Sequence, residues 1–575
     1  MSKTVDVFLG KMDFPQKVGQ MLCYGFCGTF PHPDIMEVIE RYHPAGFRVT
    51  PYARKFVRYL KDDHPGVARV RREPQLRERF YNSSAGPMRC SAAEYAEVLN
   101  TLRQRSLETG AGVPLYFSLD FEGNGSADFL PRGAFGVPHP MGLAAAGDPS
   151  LARRVGFLTA NQLKPVGIDW VHSPCVDVNT DPSNPEIGTR SYAPLPDMVA
   201  RYATETIVGY REGGLVATAK HFPGRGHSAL DAHHDVPIIE ESADRMRDVH
   251  LAPYRALIDA GLPAVMLAHS VYPALDDSQE VSTLSKPIVT GVLRQELGFE
   301  GVIITDSFTM GGLVARYEVA EAAVRAIEAG VDVILLKDEN ALRGEVYEAL
   351  LQAVQTGRIS ESRVDESVRR VLGVKDEYGL LDGEMGIVDP RAAEEALCDP
   401  RHAEIAVEAA CRSTVMLRSD GRTVPVSADS RVLVVEQPHG MHRRHSNAHA
   451  HCGALYEALL ARGVDAIFTD YDAHNIDRAW EVIAERASHA DVVVHTGWYN
   501  RGSKPCRADL ERMESLDKPT VLVCNCPYPM LVPESAENVI VTFNPTTESM
   551  NAAADVITGR SRPQGKLHFD PTRTY

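Results

Sequence analysis

The chain has 575 residues, 44% hydrophobic and 24% charged, with a formal net charge of -17 at neutral pH. That is enough for at least two domains with ordinary apolar cores, and the acidic balance argues against a nucleic-acid or anionic membrane partner. No apolar run approaches the roughly 20 residues that cross a bilayer, and the amino-terminal stretch lacks the apolar core of a secretory signal. We therefore expect a cytoplasmic protein that does not bind membranes.

Short apolar runs alternate with helical stretches through the first part of the chain, which is the pattern of a parallel sheet covered by helices. Each run is short and largely apolar, as expected for a strand buried on both faces. The predicted strands are GFRV (46–49), PLYFSLD (114–120), DWVHSP (169–174), VATAKHF (216–222), AVMLAHS (264–270), GVIITD (301–306) and VDVILLK (331–337).

These predicted strands end in polar residues. The chargeable groups at their ends are Asp120, His172, Lys220 with His221, His269, Asp306 and Lys337. A core packing pattern would not repeat such groups there, whereas α/β barrels gather catalytic residues at the C-terminal rim of their strands. The series therefore predicts an enzyme of the α/β class with an N-terminal (β/α)8 TIM-type barrel.

A second alternation of strands and helices predicts a smaller, doubly wound α/β sandwich domain. Its predicted strands are RVLVVEQP (431–438), DAIFTDY (465–471), DVVVHTGW (491–498), PTVLVCNC (519–526) and NVIVTFN (538–544). We expect a catalytic barrel over residues 1–385, a connector over 386–405 and the sandwich domain over 406–575. No G-x-G-x-x-G or Walker-type loop predicts a nucleotide site.

The loop KHFPGRGHSALDAHHDVP (220–237) concentrates four histidines and two aspartates. Asp231 and His233 are spaced i and i+2, which on an extended loop points both side chains the same way. A carboxylate beside an imidazole fixes its tautomer, and the pair can carry protons near neutral pH. A solvated loop is the plain alternative for any single histidine, and Asp306 has the alternative of capping the next helix.

Two histidine-rich stretches also raise the question of a metal site. His227, His233, His234 and Asp235 offer nitrogen and oxygen ligands, and HGMHRRHSNAHAHC (439–452) adds five histidines and Cys452. Neither stretch has the H-E-x-x-H or paired-cysteine spacing of known zinc sites. We predict no metal and no cofactor.

Several stretches carry a resemblance that covers nearly the whole chain. The loop at 220–237 resembles the pattern KHFPG-x-G-x(4)-D-x-H. The other matching stretches are DFPQKVGQMLCYGF, SLDFEG, DVNTDPSNPEIGTRSY, ALIDAGLPAVMLAHSVYPALD, LRQELGFEGVIITDSFTM, AIEAGVDVILLK, STVMLRSDGRTVPV and RSRPQGKLHFD. On these motifs the sequence is similar to glycoside hydrolase family 3, in its β-N-acetylglucosaminidase branch.

The resemblance implies roles for particular residues. Asp306 would be the nucleophile that forms a covalent glycosyl intermediate, and His233 would be the general acid/base, with Asp231 as its partner. The residues that would bind the terminal sugar are Asp120, Arg190, Lys220 and His221, and His269 is a further candidate for substrate binding. A retaining glycosidase needs one group that attacks the sugar and one that protonates the leaving oxygen.

The sequence departs from the family pattern near these residues. GRGHS (224–228) stands where the branch usually has Gly-His-Gly-Asp-Thr, so His227 is a second candidate proton carrier and His234 a third. Ser307 stands where the family usually has a second aspartate, and Asn124 where a second glycine is common. These changes leave the implied nucleophile and dyad in place but bear on leaving-group preference and natural substrate.

The leading prediction is a retaining exo-acting β-N-acetylhexosaminidase that acts on a small glycoside or glycoconjugate. The alternatives are a β-glucosidase, a phosphorylase with phosphate as acceptor, a degenerate sugar-binding barrel and a metal-dependent hydrolase. Pure sugar binding requires no nucleophile, so the retention of Asp306, Asp231 and His233 argues against a degenerate barrel. Nothing in the sequence predicts the oligomeric state.

Overall fold

Two β-sheets organise the chain, each built from its own stretch of sequence. The computed structural model of the protein describes residues 3–50, 91–123, 133–230, 236–438, 451–471, 476–499 and 507–575. Residues 51–90, which follow the second strand, fall outside these ranges.

The first sheet consists of eight parallel strands that form a nearly closed barrel, as predicted. From the first to the seventh, each strand pairs with the next in sequence, and the first also pairs with the eighth. An isolated bridge links Ile304 of the seventh strand to Val333, which directly precedes the eighth strand. The strands are β1 Leu22–Cys27, β2 Gly46–Thr50, β3 Tyr116–Leu119, β4 Trp170–Val171, β5 Val216–Phe222, β6 Ala264–Leu267, β7 Val302–Thr305 and β8 Ile334–Leu336.

Strand β1 was not among the runs predicted from the apolar pattern. Its sequence, LCYGFC, has a glycine in the middle, which weakens a strand signal. In the barrel that glycine is required, because a Cβ on Gly25 would lie 1.8 Å from the carbonyl oxygen of Lys337. The neighbouring strand therefore approaches too closely for any side chain at this position.

Helices surround the barrel, and its interior is filled by side chains from successive strands. Trp170 pairs in register with Val216, and Ala264 with Val302, and all four are buried in one apolar cluster. The helices of this part are Lys3–Lys11, Phe14–Gly19, Pro33–Tyr42, Ala92–Thr109, Pro140–Ala145, Pro149–Leu163, Pro196–Glu212, Ala243–Arg245, Ala252–Asp259, Gly311–Arg316, Val319–Ala329, Leu342–Gln355 and Glu361–Glu377. Shorter 3-10 turns are Lys164–Val166, Gly188–Arg190 and Ser282–Leu284, and π-helical stretches are Met246–His250 and Pro287–Glu296. Within the described ranges, no helix has the length and apolar character needed to span a membrane.

The second sheet has six strands, one more than predicted. Its order is β11-β10-β12-β13-β14-β9, parallel throughout except that β9 pairs antiparallel with β14 at the edge. The strands are β9 Val415–Arg418, β10 Arg431–Glu436, β11 Asp465–Asp470, β12 Val492–Gly497, β13 Thr520–Cys524 and β14 Val539–Val541. The missed strand β9, with the sequence VMLR, is short and only half-buried over most of its length, so its apolar run is too brief to predict a strand.

Both faces of this sheet are covered, as expected for a doubly wound domain. Val432 and Val434 of β10 belong to one apolar cluster, whereas Leu433 and Val435 belong to another. Its helices are Ala454–Leu460, Ile476–Ser488, Arg507–Glu514 and Thr547–Ile557, and the helices Pro390–Leu397 and Pro400–Ser413 precede the sheet.

Candidate active site

A chain of ion pairs joins strand-end residues at the C-terminal rim of the barrel. Lys220 Nζ donates to Asp120 Oδ1 at 2.7 Å and also contacts Glu122. Glu122 accepts from Arg190 through both carboxylate oxygens, at 2.6 and 3.0 Å. Arg48, from β2, donates to the other oxygen of Asp120. Paired contacts of this kind fix geometry as well as charge, so the network holds Asp120 in one orientation.

The basic side chains keep Asp120 and Glu122 ionised. Burial acts to raise the pKa of Asp120, but Arg48 and Lys220 bring that pKa well below its ordinary value. Burial likewise acts to raise the pKa of Glu122, and Arg190 and Lys220 lower it to about 2. Both groups are therefore carboxylates at neutral pH, and Asp120 is available as an acceptor of hydroxyl hydrogen bonds.

Asp306 follows β7 directly and lies beside this network. Its Oδ1 accepts the Ser307 N–H at 2.7 Å. Its Oδ2 lies 3.6 Å from Arg225 Nη2 and 4.0 Å from His221 Nε2. The helix-capping alternative is wrong, because the next helix begins at Gly311 and has Met310 at its cap position.

Two carboxylates beside this network reach solvent. The side chains of Asp120 and Asp306 are 28% and 17% exposed, whereas those of Lys220, Arg190 and Arg225 are 3%, 4% and 1% exposed. The basic groups thus lie behind the acids. Carboxylates at the surface of the rim can accept hydrogen bonds from a hydroxyl-rich, uncharged ligand and repel an anionic one.

Asp177 holds His221 in place through two hydrogen bonds. Its Oδ2 accepts from the Nδ1 of His221 at 2.7 Å and from the His221 backbone N–H at 3.2 Å. Because a carboxylate only accepts, Nδ1 carries the proton, and the other ring nitrogen faces Asp306.

Cys175 completes this group, and within the described ranges it is the cluster whose ligand atoms lie close enough together to hold a metal ion. The Cys175 thiol donates to Asp177 Oδ2 at 3.2 Å. Burial raises the pKa of Cys175 well above its usual value, and a metal would require the thiolate. We interpret the group as a hydrogen-bonded support for His221.

His269 lies deeper than its predicted role in substrate binding suggests. The side chain is fully buried, its Nδ1 lies 2.8 Å from Thr283 Oγ1, and its Nε2 lies 3.2 Å from the Ser307 carbonyl oxygen. Both ring nitrogens are thus occupied by protein atoms. His269 therefore supports the turn that carries Asp306, and its role in substrate binding stays a prediction.

The predicted acid/base dyad lies outside the described residues. Asp231, His233, His234 and Asp235 fall in the gap at 231–235, and residues 439–450 of the second histidine-rich stretch fall in another. His227 is described: its Nδ1 lies 2.9 Å from Thr180 Oγ1 and 3.6 Å from Glu241. The Nδ1 atom of His227 therefore faces Thr180 and Glu241.

Five charged residues of the rim were not assigned from the sequence. They are Arg48, Glu122, Asp177, Glu186 and Arg225. A charge inside an apolar strand, as in GFRVT, is a signal that could have identified Arg48. The others sit in the matched motifs, but nothing local distinguishes a buried partner from a solvated charge.

The second domain touches the segment that carries Glu186. The Tyr499 hydroxyl donates to the Pro185 carbonyl. The side-chain amide of Asn179 donates to Tyr528 at 3.0 Å, and the backbone N–H of Tyr575 donates to Thr180 at 2.9 Å. The loop behind the rim is therefore braced by the other domain.

The fold is that of an α/β-barrel enzyme, a class whose sites lie at the C-terminal rim of the strands, where Asp120 and Asp306 are found. Residues 86–374, half of the chain, match the family model described as "Glycosyl hydrolase family 3 N terminal domain". The chain belongs to glycoside hydrolase family 3, and it is a glycoside hydrolase, as the motifs predicted.

The names of similar proteins include both β-hexosaminidase and β-glucosidase. Beta-hexosaminidase A of Pseudoalteromonas piscicida is 26% identical over 428 residues, 70% of this chain and 68% of that relative. A protein of Cellulomonas fimi named "Beta-N-acetylglucosaminidase/beta-glucosidase" is 30% identical over 361 residues, 61% of this chain and 62% of the relative. The matched parts span about two thirds of each relative.

A solved structure resembles the whole chain. It is that of a glycoside hydrolase family 3 β-N-acetylglucosaminidase from Paenibacillus sp. str. FPU-7, with a TM-score of 0.83 and 29% identity. The alignment covers 98% of this chain and 100% of the other.

Proposed function

We propose that this enzyme is a retaining exo-glycosidase that removes terminal β-linked N-acetylglucosamine. The observation that carries the proposal is the position of Asp306, a partly exposed carboxylate that directly follows β7 and lies 4.0 Å from His221. Similarity to the β-N-acetylglucosaminidase structure over nearly all of both chains supports the choice of sugar.

In the proposed reaction, Asp306 attacks the anomeric carbon and forms a glycosyl ester while the leaving oxygen takes a proton. Water then attacks the same carbon, and the carboxylate departs. Asp120, held ionised by Arg48 and Lys220, accepts hydrogen bonds from sugar hydroxyls. Arg190 and His221 complete the pocket wall, in which Arg190 fixes Glu122 and His221 faces the nucleophile.

We assign the proton transfer to His233 with Asp231 as its partner. The assignment rests on their spacing and on the loop motif, because both lie beyond the described part of the loop, which ends at Leu230. An imidazole has an unperturbed pKa near 6.5, so it can donate and then accept a proton around neutrality.

The proton carrier can be identified by comparing leaving groups. His233→Ala should slow substrates with poor leaving groups by about 10²–10⁴-fold and activated aryl substrates much less. His227→Ala is the matched control and should change both little, since His227 contacts Thr180 and Glu241. Equal losses on both substrates for His233→Ala, or a leaving-group dependence for His227→Ala, would contradict the assignment.

A β-glucosidase is the second candidate, because the Cellulomonas fimi relative carries both names. Turnover of aryl β-N-acetylglucosaminide and aryl β-glucoside should be measured side by side, with and without phosphate. We expect faster turnover of the N-acetylglucosaminide and free sugar as the product. Preference for the glucoside would contradict the proposed substrate. A sugar 1-phosphate product would show that the enzyme is a phosphorylase and not a hydrolase.

We also propose that the catalytic barrel spans residues 1–385, the connector 386–405 and the second domain 406–575. The last barrel strand ends at Leu336 and the next sheet begins at Val415, which supports a division between them.

A further inference from the structure

Arg225 occupies a fixed position on the loop after β5. Gly226, which follows it, packs so closely that a Cβ would lie 1.8 Å from the Val178 carbonyl oxygen. The Arg225 backbone N–H donates to Asp177 Oδ1 at 2.7 Å, and its carbonyl accepts from Asn184 at 3.0 Å. The loop therefore presents this arginine in one conformation.

The guanidinium of Arg225 is buried between two acids. Its Nη2 donates to Glu186 Oε1 at 2.7 Å and lies 3.6 Å from Asp306 Oδ2. Burial acts to lower the pKa of Arg225, but Glu186, Asp306 and Asp177 together raise it above the ordinary value. The group is a permanent positive charge beside the proposed nucleophile.

Hydrogen bonding alone does not account for this arginine. Across the described residues, its Nε and Nη1 are buried and have no hydrogen-bond partner. Unsatisfied donors of this kind are costly and call for a functional reason. An anion site does not supply one, because these nitrogens are enclosed and acids that reach solvent, Asp120 and Asp306, lie in front of the basic groups.

We propose that Arg225 is a positioning residue that shortens the lifetime of the glycosyl-enzyme intermediate by stabilising Asp306 as the departing carboxylate. The inference rests on the proposed role of Asp306 as nucleophile. The guanidinium attracts a carboxylate but has no such attraction to the neutral ester. Arg225 therefore stabilises the enzyme with Asp306 as a free carboxylate, before attack and after release, relative to the covalent glycosyl-enzyme.

The step affected is the breakdown of the ester. The oxygen of water bonds to the anomeric carbon, the bond from that carbon to the Asp306 oxygen breaks, and its electron pair stays on the carboxylate. The water proton passes to the general base, which we assign to His233. Arg225 lies beside the oxygen atoms that receive the negative charge.

The test separates formation of the intermediate from its breakdown. A 5-fluoro-N-acetylglucosaminyl fluoride slows both steps and has a good leaving group, so the intermediate accumulates. Mass spectrometry of the peptide containing Asp306 gives the rate of labelling, and return of activity after removal of excess reagent gives the rate of breakdown. Wild type is compared with Arg225→Met, Arg225→Gln and Arg225→Lys.

We expect Arg225→Met and Arg225→Gln to recover at least about tenfold more slowly than wild type, with labelling no slower. Arg225→Lys, which keeps the charge, should restore most of the recovery rate. Arg154→Met removes an arginine that pairs with Glu408 and should behave as wild type. The Gln variant retains a donor for Glu186 and serves if the Met variant does not fold.

Equal recovery of wild type and the uncharged variants would overturn the inference, as would labelling and recovery slowed by the same factor. The latter result would indicate a purely structural role. Absence of any adduct on Asp306 in the wild type would overturn the proposed function itself, and this inference with it.

Discussion

The two ends of the barrel both bury clusters of charged side chains, yet the clusters are built differently. At the opposite end from the rim, Arg103 contacts Asp169, which also accepts from Lys164 at 3.0 Å. Lys375 lies nearby and donates to Gln20 at 3.0 Å and to the Pro114 carbonyl at 2.8 Å. We call these four charged residues, Arg103, Lys164, Asp169 and Lys375, the base cluster.

The difference lies in what each cluster leaves accessible. In the base cluster the acid is enclosed: Asp169 is 2% exposed and binds backbone as well as cations. At the rim, the acids Asp120 and Asp306 face outward and the cations lie behind them. Residues at the N-terminal end of such a barrel serve stability, whereas residues at the C-terminal end serve chemistry. The same types of ion pair thus serve different purposes at the two ends.

The largest expected effect is at the rim. Asp306→Ala should lower kcat by about 10⁴-fold or more, on the scale found when a nucleophile is removed from other enzymes. Thermal unfolding should remain cooperative, because the side chain is partly exposed. Residual turnover within tenfold of wild type, measured after exclusion of contaminating activity, would break the assignment of chemistry to this end.

Arg103→Met tests the opposite end. Arg103 is fully buried, and its loss leaves the Leu115 carbonyl and the Asp169 carboxylate short of a donor. Breaking a buried pair of this kind costs about 3–5 kcal/mol, so denaturant unfolding should shift by that amount while kcat of the folded fraction stays unchanged.

Arg105→Met is the control for Arg103→Met. Arg105 lies on the same helix but pairs with Glu40 at the surface, so its removal should leave the free energy of unfolding unchanged within error. A large fall in kcat of the folded fraction of Arg103→Met would show that the base cluster also serves catalysis, and the division between the two ends would be wrong.

The smallest expected effect is a change in pH dependence. Burial, with help from Arg103, lowers the pKa of Lys375 to about 7, whereas a lysine in an unfolded chain has a pKa near 10.4. Between these values the unfolded chain binds a proton that the folded chain lacks, so stability rises with pH, on the order of 1 kcal/mol per pH unit.

Lys375→Met should flatten that rise. The free energy of unfolding would be measured by denaturant titration at several pH values from about 7 to about 10, for wild type and variant. Lys286→Met, at an exposed lysine, should keep the wild-type slope. An unchanged slope in Lys375→Met would mean that other groups cause the pH dependence.

Much of the fold could be predicted from local pattern. The apolar runs identified seven of the eight barrel strands, but β1 was missed because a glycine required by close packing interrupts its run. The antiparallel edge strand β9 was missed because it is short and half-buried. In the candidate site, the pattern located Asp120, Lys220, His221 and Asp306 at strand ends, but it did not indicate that His269 is fully buried.

The sequence by itself determined the family, the barrel and the residues at the strand ends. The motifs predicted the family, and the alternation of strands and helices predicted the barrel. The residues at the strand ends lie together because parallel strands bring their C-terminal ends to one edge of a sheet. Only the tertiary structure decided which charges meet. Arg48 pairs with Asp120 across 72 positions and Arg190 with Glu122 across 68. Such pairing depends on which groups lose water together when the core closes, and no local signal records it.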